Sequence, residues 1–117
     1  MTWDEAVAIG SALPEVELST SYGTPALKVR GKLLIRLRPE DDSLVLLDTP
    51  MDERDLLIEA DPQTFHTTPH YDGYPAVLAR LASLDAPTLR RMIERRWRNV
   101  APARLLKAYD AAETLGG

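Results

Sequence analysis

Between Leu27 and Arg38 the chain alternates apolar and basic residues around a single glycine. Leu27 and Val29 fall on one side, and Lys28 and Arg30 on the other. After Gly31, Leu33, Ile35 and Leu37 take one face while Lys32, Leu34, Arg36 and Arg38 take the opposite one. A period of two belongs to extended chain and is incompatible with a helix, whose faces repeat every 3.6 residues. Gly31, flanked by Arg30 and Lys32, is placed to make the tight turn, so the two segments read as a β-hairpin. Such a hairpin has an apolar face that must be covered by another layer.

The rest of the chain supplies that layer. Thr2 followed by Glu5 reads as a capping box, and Trp3, Ala6, Gly10 and Leu13 share a helical face that Pro14 ends. The stretch from Glu15 to Thr24 is polar, with a turn at Gly23, and reads as irregular or weakly extended. Leu44 to Leu47 form a third strand after the turn residues Pro39 to Ser43. Thr49 and Pro50 open a second helix, a capping hydroxyl followed by proline at the first helical position, with Asp52, Glu53 and Asp55 at its positive end. That helix stops at Asp61-Pro62; Leu56, Leu57 and Ile58 are its expected buried residues. Phe65-His66 is a short extended piece, and Ala76 to Leu81 a fifth strand beyond the Asp72-Gly73 turn. Asp85 caps a third helix in which Leu89, Met92, Ile93, Trp97 and Val100 recur at helical spacing, and Pro102 starts a last helix carrying Leu105, Leu106 and Tyr109. The expected fold is α+β: one domain over residues 1–117, a two-layer sandwich of a five-stranded antiparallel sheet with helices on one face.

Charge is unevenly distributed. The net charge of −4 combines the basic segment Lys28, Arg30, Lys32, Arg36, Arg38 with a dense acidic stretch from Glu40 to Asp61. An acidic balance works against nucleic-acid binding globally and leaves it to local positive surface. There is no cysteine, hence no disulfide, thiolate metal site or thiol nucleophile. No apolar run approaches the roughly 20 residues of a membrane helix. The acidic opening Met1 to Glu5 lacks a signal-peptide pattern, which favours the cytoplasm.

Three candidate sites emerge. The basic hairpin could present Lys28, Arg30, Lys32, Arg36 and Arg38 to phosphates at strand spacing, although a half-buried sheet also carries a polar outer face for solubility alone. The third helix carries Arg91, Arg95 and Arg98 on one face, away from the Trp97 stripe; pairing with the acids of the second helix is the plainer role. The third candidate is a pocket from Tyr22, His66, His70, Tyr71 and Tyr74. His66 and His70 have the i, i+4 spacing of a helical metal pair, but Thr67-Thr68-Pro69 between them breaks a helix, and no metal or other cofactor is expected. No nucleophile with a partnering base, strained serine elbow or phosphate-cradling glycine loop is assembled, so the chain reads as a non-enzyme.

Leu13-Pro14-Glu15-Val16-Glu17, Tyr22 to Val29 and Gly31-Lys32 resemble the opening of the MmcQ/YjbR-like family. Ala60-Asp61-Pro62, the run Phe65 to Tyr71, Gly73-Tyr74-Pro75 and the Trp97 helix followed by Ala101-Pro102 continue the likeness in order over nearly the whole chain. The resemblance implies a secretion-chaperone-like α/β domain, and a DNA-binding role in a double-wing arrangement. With the basic hairpin this gives the leading expectation, a DNA-binding domain using the open sheet face. The alternative is a protein-interaction module, a homodimer or peptide groove, with Leu34 and Leu44 or Leu46 as the apolar centre of the interface; a third reading is a small-molecule binder using the Tyr22 and His70 loops.

Overall fold

A computed structural model describes residues 1–116, with side chains described to Thr114. The elements are α1 (Trp3–Ser11), β1 (Val16–Ser21), β2 (Thr24–Val29), β3 (Lys32–Arg38), β4 (Ser43–Leu47), α2 (Met51–Ala60), β5 (Phe65–His66), β6 (Ala76–Arg80), α3 (Ala86–Val100) and α4 (Ala103–Gly116). The strands form one antiparallel sheet in the order β1-β2-β3-β4-β6-β5. The α+β architecture is as expected, but the sheet has six strands, not five.

The extra strand is β1, in the segment expected to be irregular. It lies at the sheet edge, where no residue is fully buried, so no apolar alternation is needed to hold it. What defines it is the two-residue turn Tyr22-Gly23, with φ of 52° and 76°. Positive φ at both positions suits the twist of a hairpin. The turn at Gly31 repeats the device, with φ of 48° at Arg30 and 79° at Gly31.

A second departure lies in β3. The register against β2 shifts between Leu27 and Lys28, a bulge that lets Leu34 and Ile35 both enter the core. Arg96 on α3 donates to the Leu33 carbonyl at 2.9 Å, satisfying a backbone group beside the bulge. The strict alternation expected for residues 32–38 therefore fails. Lys32 lies opposite Val29, on the helix side, while Lys28, Leu33, Arg36 and Arg38 share the other face. Leu34, Leu44 and Leu46 all belong to the core, so they cannot form the centre of an interface as expected.

The core lies between the sheet and the helices. Leu27, Val29, Ile35, Leu44, Leu46, Val77 and Ala79 meet Ala6 and Leu13 from the N-terminal segment and Leu89, Met92, Ile93 and Trp97 of α3. The indole N–H of Trp97 donates to the Pro14 carbonyl at 3.0 Å, tying α3 to the end of α1. At Gly10 a methyl group would come within 2.5 Å of Leu27 and 2.8 Å of Ile93, so glycine permits the close approach of α1 to both. The Thr2 hydroxyl caps α1 by accepting from the Glu5 amide at 3.1 Å and donates to the Glu5 carboxylate at 3.3 Å, and Asp85 caps α3 by accepting from the Thr88 amide at 2.8 Å.

α2 departs from its expected role. Leu57 and Ile58 pack against the core, but Leu56 is 65% exposed, and the buried residue of this helix is Arg54. Thr49 does not cap α2 either. Its hydroxyl turns inward and donates to the Leu46 carbonyl at 3.1 Å. Among the described residues, no helix is long and apolar enough to cross a membrane.

Candidate functional site

The face of the sheet away from the core is not open. Ala26, Val45, Ala76 and Leu78 are buried there although they lie outside the core cluster. Val45 and Ala76 lie against the connection between β5 and β6. Thr67 to Pro75 folds back over the strands through two tight turns, closed by the Tyr71 amide on the Thr68 carbonyl and the Tyr74 amide on the Tyr71 carbonyl, both at 3.0 Å. Arg54 secures this loop from α2. Its guanidinium, buried, donates to the carbonyls of Asp72 at 2.8 Å, Tyr74 at 3.4 Å and Tyr71 at 3.5 Å. A cation on three backbone carbonyls fixes the path of a loop with little secondary structure of its own.

Between this loop and the β1–β2 turn runs a cleft of about 300 Å³. Leu33, Val45, Leu47 and Ala76 form its apolar floor; Tyr22, His70, Tyr71 and Tyr74 are its aromatic walls. Arg36 stands in the middle, flanked across the sheet by Ala26 and Val45. It donates to the Tyr71 hydroxyl at 2.7 Å and the Thr24 hydroxyl at 3.3 Å, and lies 5.6 Å from the centre of the Tyr22 ring. His70 packs edge-on to Tyr71 at 4.7 Å and leans over Tyr74 at 6.0 Å. Past Arg36 the cleft continues into a second lobe of about 330 Å³ bounded by Arg38, Glu40 and Thr68.

Four residues of the anticipated pocket, Tyr22, His70, Tyr71 and Tyr74, thus converge on Arg36. His66 does not. It sits on β5 with Nε2 2.9 Å from Asp41, which also accepts from Arg38 at 2.8 Å. Burial alone works to raise the Asp41 carboxyl. Hydrogen bonds from His66 and Ser43 and the Arg38 charge outweigh it and hold the group below the usual carboxylate range. Among the described residues no group of three or more His, Asp or Glu side chains could hold a metal ion.

The basic residues are dispersed rather than assembled. Arg30, in the turn, pairs with Glu15, and Arg38 with Asp41 and Glu40. On the helix side Arg95 pairs with Glu53 at 2.6 Å, Arg91 with the same carboxylate at 3.6 Å, and Arg98 with Glu94 and Asp110 at 3.3 and 2.9 Å. Arg96 and Asn99 both donate to Asp48. The hydrogen bond from Arg95 depresses Glu53 despite some burial; at Asp48 burial works upward but Arg96 and Asn99 prevail. Tyr109, donating to Glu94 at 2.8 Å, has its hydroxyl pushed up to about 12 by that bond and by burial. Lys28, Lys32 and Arg36 are the hairpin cations without a carboxylate partner among the described residues, and only Lys28 and Arg36 share a face.

Sequence reading missed Arg54, Thr24 and the floor of the cleft. Arg54 left a trace, a lone cation between Glu53 and Asp55 in an otherwise acidic helix. The floor residues left none, because Val45 and Ala76 sit in strands buried on both faces and read as core.

An antiparallel α+β sandwich with one sheet face closed by helices and the other roofed by an aromatic loop defines the class. The family model described as YjbR matches residues 11–99, and the chain belongs to that family. It is 32% identical over 127 aligned positions to uncharacterized protein Mb2600 of Mycobacterium bovis and to uncharacterized proteins MT2646 and Rv2570 of Mycobacterium tuberculosis, with 94% of this chain and 96% of each relative covered. No solved structure matches it.

Proposed function

We propose that this protein is a non-enzymatic binding domain that takes unpaired bases of single-stranded DNA in the cleft around Arg36. Arg36 carries the reading: Arg30 and Arg38 are both paired with carboxylates, whereas Arg36 bonds only to hydroxyls and is ringed by Tyr22, His70, Tyr71 and Tyr74. Aromatic faces stack on any base, and an arginine beside them meets a phosphate or a base edge. The lobe with the aliphatic floor suits a flat ring, and the lobe with Arg38 and Thr68 suits the backbone that carries it.

Duplex DNA is a poorer match. A duplex track needs several free cations on one surface, yet Arg91, Arg95 and Arg98 of α3 are paired and lie behind the sheet. The net charge of −4 adds repulsion. With Arg36 and Lys28 as the free cations of this face, single-strand binding should have a shallow salt dependence, a log–log slope of about −1 to −2.

Fluorescence anisotropy with labelled single-stranded and duplex oligonucleotides at low salt tests this. Single strands should bind and duplex should bind more weakly. Arg36→Gln and Tyr74→Ala should each weaken single-strand binding about tenfold or more, in line with the roughly 1–3 kcal/mol measured per stacked base. Absence of single-strand binding, or unchanged binding by Arg36→Gln, would overturn the reading.

A further inference from the structure

The two edges of the sheet are unequal. At one end β5 is two residues long, too short to template another strand. At the other, β1 is six residues long with an outer edge that no strand of the chain covers. Edge strands are ordinarily blunted by proline, lysine, a bulge or a covering loop. β1 has none of the first two, pairs with β2 without a register shift, and carries one charge, Glu17. It also carries Leu18, which is 65% exposed. Leu18 lies opposite Leu27 and hence on the helix side of the sheet, beside a shallow groove shared with Trp3, Thr20 and Pro25. The DNA-binding reading uses none of these residues.

The geometry points to β1 as a homodimerisation edge, pairing antiparallel with β1 of a second copy about a two-fold axis through Leu18. The backbone dictates this register. Ser21 and Thr24 close a two-residue hairpin, so they form a hydrogen-bonded pair, as do Ser19 and Glu17 with their partners on β2. The intervening residues Val16, Leu18 and Thr20 then direct their N–H and C=O groups outward. An antiparallel copy centred on Leu18 aligns all three outward positions, Leu18 with itself and Val16 with Thr20, for about six main-chain hydrogen bonds. A shift of one residue loses that alignment entirely, and a shift of two loses part of it.

The side chains accept the same register. On the helix side Val16, Leu18 and Thr20 meet Thr20, Leu18 and Val16 of the partner subunit, so each exposed leucine covers the other. On the opposite side Glu17 faces Ser19 of the partner subunit, so the two glutamates are diagonal neighbours and not directly opposed. A second copy is therefore the occupant that fits, since the strand matches itself in backbone phase and brings the two exposed leucines together. The two-fold axis is perpendicular to the joined sheet, so both aromatic clefts lie on the same face of a continuous twelve-stranded sheet (about twice the single count). One DNA strand could then engage both clefts, with the gain in apparent affinity that linked sites confer.

The test uses the full chain without any ligand, so its outcome does not depend on DNA binding. Light scattering coupled to size exclusion, from low to high micromolar concentration, should give a mass rising to twice that of the chain. Leu18→Lys places two cations on the axis and should weaken dimerisation at least tenfold, with circular dichroism and melting of the monomer unaltered because Leu18 is exposed. Leu56→Lys, on α2 and equally exposed, is the control and should leave the dimer intact. Amide exchange at Leu18 should be slowed in the dimer and fast in Leu18→Lys. A monomer at every concentration, or a dimer that survives Leu18→Lys or is lost with Leu56→Lys, would overturn the inference.

Discussion

The two faces of this one sheet are both buried, by different means. On the helix side Leu27, Ile35, Leu46 and Val77 are sealed by the long side chains of α3 and by the close approach of α1 through Ala6 and Gly10, a close-packed aliphatic interior around Trp97. On the other side Val45 and Ala76 lie under a loop of aromatic residues held by one buried arginine. The first kind of cover gains its stability from apolar area and is intolerant of voids. The second depends on a few polar bonds and leaves a cleft beneath it. A protein that must keep one surface rigid and another receptive can divide the task in this way, because loops with little apolar anchoring open at low free-energy cost.

The contrast can be broken most severely at Trp97. Trp97→Ala removes a fully buried ring and its bond to the Pro14 carbonyl. It should cost about 3–5 kcal/mol in urea unfolding. Next is Arg54→Met, which leaves the carbonyls of Tyr71, Asp72 and Tyr74 without their donor, at about 1–3 kcal/mol. Its distinguishing mark is local: amide exchange across Thr67 to Pro75 should quicken while that of β2, β3 and α3 stays slow. If Arg54→Met loosens the helix side equally, the two faces are one cooperative unit and the contrast fails.

Acid titration sharpens the comparison with a smaller effect. Asp48 and Glu53 on the helix side and Asp41 on the loop side all have lowered carboxyls. A carboxyl whose folded pKa lies below its unfolded value of about 4 contributes stability that is full above that value. That contribution is lost as pH falls through the folded pKa. Unfolding midpoints should therefore be flat from pH 7 to about 5 and decline below about 4. Asp48→Asn combined with Glu53→Gln should flatten the decline, with each partly exposed pair worth about 0.2–1 kcal/mol. The smallest effect is expected at Glu15→Gln, which breaks the surface pair with Arg30 and should leave the melting temperature unchanged.

Much of this architecture was legible beforehand where local rules act alone. The Thr2 and Asp85 caps, the Gly31 turn, and the Leu89-Met92-Ile93-Trp97 stripe are each set by residues within one or two turns of chain, and each is found as expected. The family was legible too, through motifs spread along the chain. The reading failed where burial is decided at a distance. β1 was missed because an edge strand needs no apolar pattern, and the bulge at Leu34 was missed because alternation cannot register one extra residue that the partner strand fails to match.

The site divides along the same line. Sequence by itself brought Tyr22, His66, His70, Tyr71 and Tyr74 forward as a group, and all but His66, which turns to Asp41, line the cleft. It also assigned five basic residues to one strip, and there the tertiary structure decided otherwise. Glu15 reaches Arg30 from before β1, Glu40 and Asp41 reach Arg38 from the adjoining turn, and Asp48 and Glu53 take arginines of α3, which leaves Arg36 without a carboxylate beneath the aromatic loop. Charge in a sequence fixes only what can be paired. Which charges meet depends on where strands and helices bring them within a few ångströms, since Coulomb attraction in water fades over about 8–10 Å at physiological salt.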